Sequence, residues 1–321
     1  MTYIQIIGII VFSLILIKSS SLLSSHLKSL AKRSLIGGFF LTSFIVGLAT
    51  SLPELFVGVT SALTGFPTIS LGNAIGSNIA NMTLVAGGAA LIGGVIIVKK
   101  HEYAEDLLYA FLAAMAPLFL LMDNSLSRVD ALILIALYFF YNYAILARRN
   151  KEISDNKSNN LLLTLIRKIR HPHNTRDLMI IFLSISIILF SADMIVRFGV
   201  QLAEGLNVSP LLVGLIFVAI GTSLPEFAVE FQAIRNRDTA LYMGNLLGSI
   251  VANGTLIVGI TALIHPITIL AFNDYFVATI ALMLVFFIFY TFMRTKNAVN
   301  RIEGFVLIGL YSIFLLIEFV K

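Results

Sequence analysis

Ten runs of the chain are apolar over the length that a helix needs to cross a bilayer, and this feature constrains the fold most. A spanning helix takes ~20 mostly apolar residues. The runs fall near residues 3–24, 35–63, 68–97, 104–122, 129–147, 178–204, 209–234, 240–265, 275–293 and 302–320. Charge settles the solvent, because only 12% of the residues are charged, whereas soluble domains carry about 25%. That supply cannot clothe a soluble fold of 321 residues. The expected class is an all-α polytopic membrane protein with ten transmembrane helices. The first run lacks a basic leader and a small-residue cleavage site, so it reads as a retained helix rather than a signal peptide. Its end is diluted by Ser19, Ser20, Ser21, Ser24 and Ser25. The chain has no cysteine, which excludes disulfides, zinc–thiolate sites, iron–sulfur clusters and thiol nucleophiles.

Basic residues alternate from one connection to the next. One set of connections holds Lys28, Lys32 and Arg33; Lys99 and Lys100; eight residues between Arg148 and Arg176; Arg235 and Arg237; and Arg294, Lys296 and Arg301. The opposite set holds only Arg128 and Lys321. Cytoplasmic loops carry the excess of Lys and Arg, so the first set is expected in the cytoplasm and both termini outside. The net charge of +5 is thereby a topology signal, and no nucleic-acid partner is expected.

The polar segment 148–176 divides the chain into two sets of five spans, 1–147 and 177–321. Its part 151–160 is poor in apolar residues and reads as a flexible cytoplasmic linker. Leu161 to Arg170 has the pattern of a short amphipathic helix on the inner leaflet. His171 and His173 have no carboxylate cluster beside them and read as solvated rather than metal-binding. The segment is too short for a folded regulatory domain.

The two halves repeat each other at an offset of 172 residues. Residues 44–87 and 216–259 share 16 identities in 44 positions, where unrelated sequences would share roughly three. The identities cluster as Thr50-Ser-Leu-Pro-Glu54 with Thr222-Ser-Leu-Pro-Glu226, and as Gly72-Asn-x-x-Gly-Ser77 with Gly244-Asn-x-x-Gly-Ser249. Five spans per half is an odd number, so the two copies are expected to be inverted. Inverted repeats are the plan of many secondary transporters, with the ion site near mid-membrane at their interface.

The repeated residues suit a hard cation. Glu54 and Glu226 each stand midway along an apolar run, where a carboxylate costs ~2.5–3.5 kcal/mol on insertion scales. No Lys or Arg lies in either motif to neutralise them, so mobile cations are the economical partners. Pro53 and Pro225 cannot donate to the carbonyls four residues earlier, which bends each helix and frees backbone oxygen. Thr50 shares a helix face with Glu54, and Asn73 with Ser77 and Asn81. The second half repeats this with Thr222 and Glu226, then Asn245, Ser249 and Asn253. Calcium takes six to eight oxygen ligands at ~2.3–2.6 Å in irregular geometry, and sodium fits similar oxygen sites with less charge. Packing of small residues explains the glycines and serines singly but leaves both glutamates unexplained.

The pattern G-x-x-x-T-S-L-P-E followed by G-N-x-x-G-S-N-I-A-N resembles the α-repeats of the sodium/calcium exchanger family, within the cation/calcium antiporter superfamily. The resemblance spans the whole chain. It implies four long kinked core helices around the ions, here spans 2, 3, 7 and 8, with spans 1 and 6 as a sliding gate. It implies the ion ligands Thr50, Ser51, Glu54, Ser77 and Asn81, with Thr222, Ser223, Glu226, Ser249 and Asn253. Gly47 and Ala219 fall where the family contributes backbone carbonyls. The implied protein is not an enzyme and has no cofactor. It is a multi-pass protein of a prokaryotic-type cell membrane, with Na⁺ and Ca²⁺ as its substrates in electrogenic exchange by alternating access. Apart from the resemblance, the simplest expectation for its assembly is a monomer, with a dimer as the alternative.

The chain departs from the family at Asn253, where relatives often carry Asp. The amide keeps an oxygen but removes a charge, which argues against potassium dependence. Glu230, one turn after Glu226, stands where the first repeat has Gly58. It is assigned to an ion pair with Arg235, the alternative being added acidity near the inner mouth. Asp193 and Arg197 are spaced to pair along span 6. The alternative functional readings are a proton- or sodium-coupled antiporter for another cation, and a cation channel, which would want a continuous pore. An intramembrane enzyme would need a nucleophile–base or paired-aspartate arrangement that the motifs lack. No ATPase signature is present to drive a pump.

Overall fold

Apolar length dictates the architecture, and the computed structural model follows it over residues 2–33, 50–93, 96–97, 104–153, 175–296 and 298–320. We label the helices α1 (Thr2–Arg33), α2 (Leu52–Leu63), α3 (Pro67–Gly93), α4 (Ala104–Leu120), α5 (Arg128–Ile153) and α6 (Thr175–Leu206). The second half continues with α7 (Pro210–Thr222), α8 (Leu224–Arg235), α9 (Leu241–Ile264), α10 (Phe272–Lys296) and α11 (Arg301–Val320). Among the described residues, eight helices are long and apolar enough to cross a membrane. The pair α7 and α8, bent by 42° at its break, makes up to a ninth span. Helix α2 is the end of the apolar run 35–63, whose earlier part lies outside the described residues, as do Leu161–Arg170, His171 and His173. The chain is an all-α, multi-pass membrane protein. Helix α1 continues through the serines at its end to Arg33, since serine weakens a helix by only a fraction of a kcal/mol. Likewise α5 runs on to Ile153, into the segment expected to be linker.

Burial ranks the helices. In α3 and α9, 78% and 72% of the spanning residues are buried, against 33% in α1, α6, α10 and α11. Helices α3 and α9 are therefore central, whereas α1, α6, α10 and α11 turn a broad apolar face to lipid. Small residues set the closest approach, between α3 and α7. A Cβ on Gly76 would stand 2.0 Å from the Leu215 carbonyl oxygen, and one on Gly214 would stand 2.2 Å from that of Ile69. Only glycine lets these backbones touch. Peripherally, the 32-residue helices α1 and α6 pack along each other, with the Phe12 ring 5.8 Å from Phe190 and 6.0 Å from Phe198. On α6, Arg197 Nε donates to Asp193 Oδ2 at 2.7 Å, the pair expected from their spacing.

Two small ladders tie the connections together. Strand β1 (Ile96–Ile97) pairs antiparallel with β4 (Ala298–Val299), and β2 (Ser125–Leu126) with β3 (Ile267–Thr268). The segment after α3 thus meets the one after α10, while the segment after α4 meets the one after α9.

Candidate cation site

The two repeated motifs build one site at the meeting of α2, α3, α7, α8 and α9. Helix α2 starts after Ser51, whose φ and ψ are −83° and 7°; α8 starts after Ser223, at −80° and 0°. Both serines occupy the sparsely populated bridge region, and a proline follows two residues later in each case. Pro225 has no N–H for the Gly221 carbonyl, so the span breaks there. The break places Glu54 and Glu226 in the first turn of a helix, where the positive end of the helix dipole favours an anionic side chain. Opposite them, α3 and α9 widen into π-helical turns at Asn81–Val85 and Ala252–Ile257. Such turns leave carbonyls without their usual partners and recur at functional sites.

The halves are cross-linked by side chains. Thr50 Oγ1 donates to Asn245 Oδ1 at 2.9 Å, and Thr222 Oγ1 to Asn73 Oδ1 at 3.0 Å. Thr50 lies 3.4 Å from Ser249 Oγ, and Thr222 lies 3.4 Å from Ser77 Oγ. Every one of these contacts crosses from one half to the other, and an offset of 172 converts each pair into the next. Ser51 Oγ donates to Ser249 Oγ at 3.2 Å, and Ser249 Oγ to Glu226 Oε1 at 3.4 Å. Of the expected ligands, Thr50, Ser51, Glu54, Ser77, Asn81, Thr222, Ser223, Glu226, Ser249 and Asn253 are all buried polar side chains. Ala219 is also buried, and its carbonyl accepts from Ser223 N at 3.0 Å. Gly47 lies outside the described residues.

Several buried oxygens have no hydrogen-bond partner: both of Glu54, Oε2 of Glu226, Oδ1 of Asn81 and Asn253, and Oγ of Ser223. Buried polar atoms are nearly always bonded, so six orphaned oxygens in one repeated constellation require a ligand that accepts electron pairs. A hard cation does so. Among the described residues, no three His, Cys, Asp or Glu side chains converge as a metal-binding group, so such a cation would rely largely on neutral oxygens.

Sequence reasoning misplaced Glu230 and overlooked Asn78. Glu230 is fully buried and faces Asn245, whose Nδ2 donates to Oε1 at 3.4 Å, while Arg235 is exposed. Residues five apart lie ~140° apart around a helix, so the assigned pair with Arg235 does not form. Asn78 Nδ2 donates to the Ile250 carbonyl at 3.3 Å, and its Oδ1 accepts from Asn253 Nδ2 at 3.0 Å. This fixes the Asn253 amide with Oδ1 left over. The available signal was a mismatch in the repeat, Asn78 against Ile250.

Both the sequence and the fold have known relatives. The chain is 30% identical over 230 residues to the inner membrane protein YrbG of Escherichia coli, covering 69% of this chain and 68% of that one. It is 24% identical over 336 residues to the sodium/calcium exchanger MaX1 of Methanosarcina acetivorans, covering 95% of each. A solved structure of the sodium-calcium exchanger NCX_Mj shares the fold, with a TM-score of 0.64 at 24% identity over 98% of this chain and 99% of that one. The family model described as sodium/calcium exchanger protein matches residues 4–147 and 177–320. The chain is a transmembrane cation antiporter and belongs to the sodium/calcium exchanger protein family.

Proposed function

We propose that the chain exchanges Na⁺ for Ca²⁺ across the plasma membrane by alternating access, at the site built around Glu54 and Glu226. The carrying observation is the pair of fully buried carboxylates with unpartnered oxygens, set where the Thr50–Asn245 and Thr222–Asn73 bonds join the two halves. Two carboxylates neutralise one Ca²⁺ or two Na⁺, and the surrounding hydroxyl, amide and carbonyl oxygens complete a hard-cation shell. The ligands are Thr50, Ser51, Glu54, Ser77 and Asn81, with Thr222, Ser223, Glu226, Ser249 and Asn253, and the carbonyls of Gly47 and Ala219.

The spans form two inverted sets of five, 1–147 and 177–321, joined by the cytoplasmic segment 148–176, with both termini outside. The strand pairings support this reading: in inverted halves, the connection after α3 shares a membrane face with the one after α10, and these are the segments that pair. Helices α1 and α6 form the gate.

The test is ⁴⁵Ca²⁺ uptake into proteoliposomes under outward Na⁺, K⁺ or H⁺ gradients. Uptake driven by Na⁺ alone is expected. Uptake driven only by protons would replace Na⁺ as the coupling ion, and uptake without any counter-gradient would mean a channel. If a third Na⁺ travels, the sodium-loaded form carries one excess positive charge, worth ~2.3 kcal/mol per 100 mV. An inside-positive potential, clamped with valinomycin and potassium, then accelerates sodium-efflux-driven calcium entry. A rate indifferent to the clamp would mean electroneutral exchange.

A further inference from the structure

The second half contains an acidic position that the first half lacks. Glu230 lies one turn beyond Glu226, about 6 Å further along α8 toward Arg235. It is fully buried, and Oε2 has no hydrogen-bond partner. Tyr242 of α9 is also fully buried with an unpartnered hydroxyl, and it stands three residues before Asn245, on the same helix face as the amide that bonds Glu230. Glu226 and Glu230 are four residues apart on α8 and so share one face of that helix. The corresponding positions of the first half are Gly58 and Ser70. There the Ser70 hydroxyl bonds Thr261 at 2.8 Å, and both hydroxyls would lie within 3 Å of a Cβ on Gly58. The two hydroxyls satisfy each other and fill the space that an acid would need.

Asn245 joins the extra carboxylate to the central site. Its Oδ1 accepts from Thr50, while its Nδ2 donates to Glu230. Its counterpart Asn73 accepts from Thr222 in the same way, but its Nδ2 has no partner, because no acid stands at position 58. An unpaired carboxylate oxygen and a phenol oxygen, both cut off from water, offer electron pairs to a cation and nothing to an apolar ligand.

We propose that Glu230 and Tyr242, positioned by Asn245, form a second cation station on one side of the central site only. It holds the transported hard cation as it passes between Glu226 and the end of α8 that carries Arg235. This rests on the exchange reading. The station lets a cation enter or leave in two short steps on that side, while the Gly58 side offers one.

Concentration-dependent ⁴⁵Ca²⁺ uptake presented to each face of oriented vesicles tests it, with Glu230→Gln and Tyr242→Phe. The glutamine keeps the shape and the Asn245 contact but loses the charge. Glu230→Gln is expected to raise the half-saturating Ca²⁺ about tenfold from the Arg235 face and less than about twofold from the other. Tyr242→Phe should give a smaller shift on the same face. An equal shift on both faces, or no shift on either, overturns the station while wild-type uptake stays intact. Wild-type vesicles that take up no Ca²⁺ under any gradient would overturn the exchange reading, and the station with it.

Discussion

The two halves of the site match at the centre and diverge at the edges. The distances 2.9 and 3.0 Å for the Thr–Asn bonds, and 3.4 and 3.4 Å for the Thr–Ser contacts, describe one arrangement made twice. One turn away the correspondence fails. Asn253 is anchored by Asn78, whereas Asn81 has neither amide atom bonded, because Ile250 stands where its anchor would be. Glu230 and Tyr242 likewise replace Gly58 and Ser70. A carrier that opens alternately to two faces needs its orientations close in energy, and matched halves provide that. The mismatches let the two faces differ in how an ion is received.

The strongest way to break the comparison is to neutralise the matched acids. Glu54→Gln and Glu226→Gln should each reduce ⁴⁵Ca²⁺ uptake by about 100-fold or more, because removing one of two buried charges leaves the ion uncompensated at a cost of ~3–5 kcal/mol. Retained monodispersity on size exclusion separates this from misfolding. If only one variant lost transport, the site would not be two-fold.

A smaller effect sharpens the contrast at the edges. Asn253→Asp faces the Asn78 oxygen with another acceptor, or forces that amide to abandon the Ile250 carbonyl; Asn81→Asp has no such conflict. Both introduce the same buried charge, so their difference in stability isolates the anchor. Asn253→Asp should be the less stable by ~1–3 kcal/mol, the cost of an unsatisfied buried group, measured as apparent unfolding midpoints in one detergent. Its uptake should also gain a new pH dependence or ion preference, since an added carboxylate at a cation site takes up a cation or a proton. Equal midpoints would remove Asn78 from the account. The smallest effect concerns the cross-links. Thr50→Val and Thr222→Val should destabilise by ~0.5–1.5 kcal/mol each and by the same amount, and unequal values would show that the matching distances conceal unequal bonds.

Much of this was legible in the sequence because lipid imposes length and because the repeat marks its own chemistry. Glu54 and Glu226 were found by being identical, costly and unpaired. Three features escaped that logic. The π-helical turns shift the hydrogen-bond register within a run that is apolar in either register, so periodicity carries no trace of them. The partner of Thr50 is Asn245, 195 residues away, and no local spacing encodes it. Asn78 and Glu230 are mismatches in a comparison that rewards matches. Glu230 was assigned to the nearest basic residue in sequence, although the geometry of α8 points the two side chains apart.

Helices α1 and α6 carry one further consequence. Both have 32 residues, but the apolar run of α1, Tyr3–Leu23, covers ~31 Å, while that of α6, Met179–Leu206, covers ~42 Å. The hydrocarbon core of a bilayer is about 30 Å thick. Helix α1 fits that slab nearly upright, whereas α6 must lean by about 45° or carry part of its apolar surface into the headgroups. Because the two are packed together, a change in slab thickness alters the hydrophobic fit of α6 first and drags α1 with it. If this pair is what slides during exchange, lipid chain length acts on the same coordinate as the ions. Vesicles of short-chain and long-chain lipid would then hold the carrier at different resting poses with no ion present.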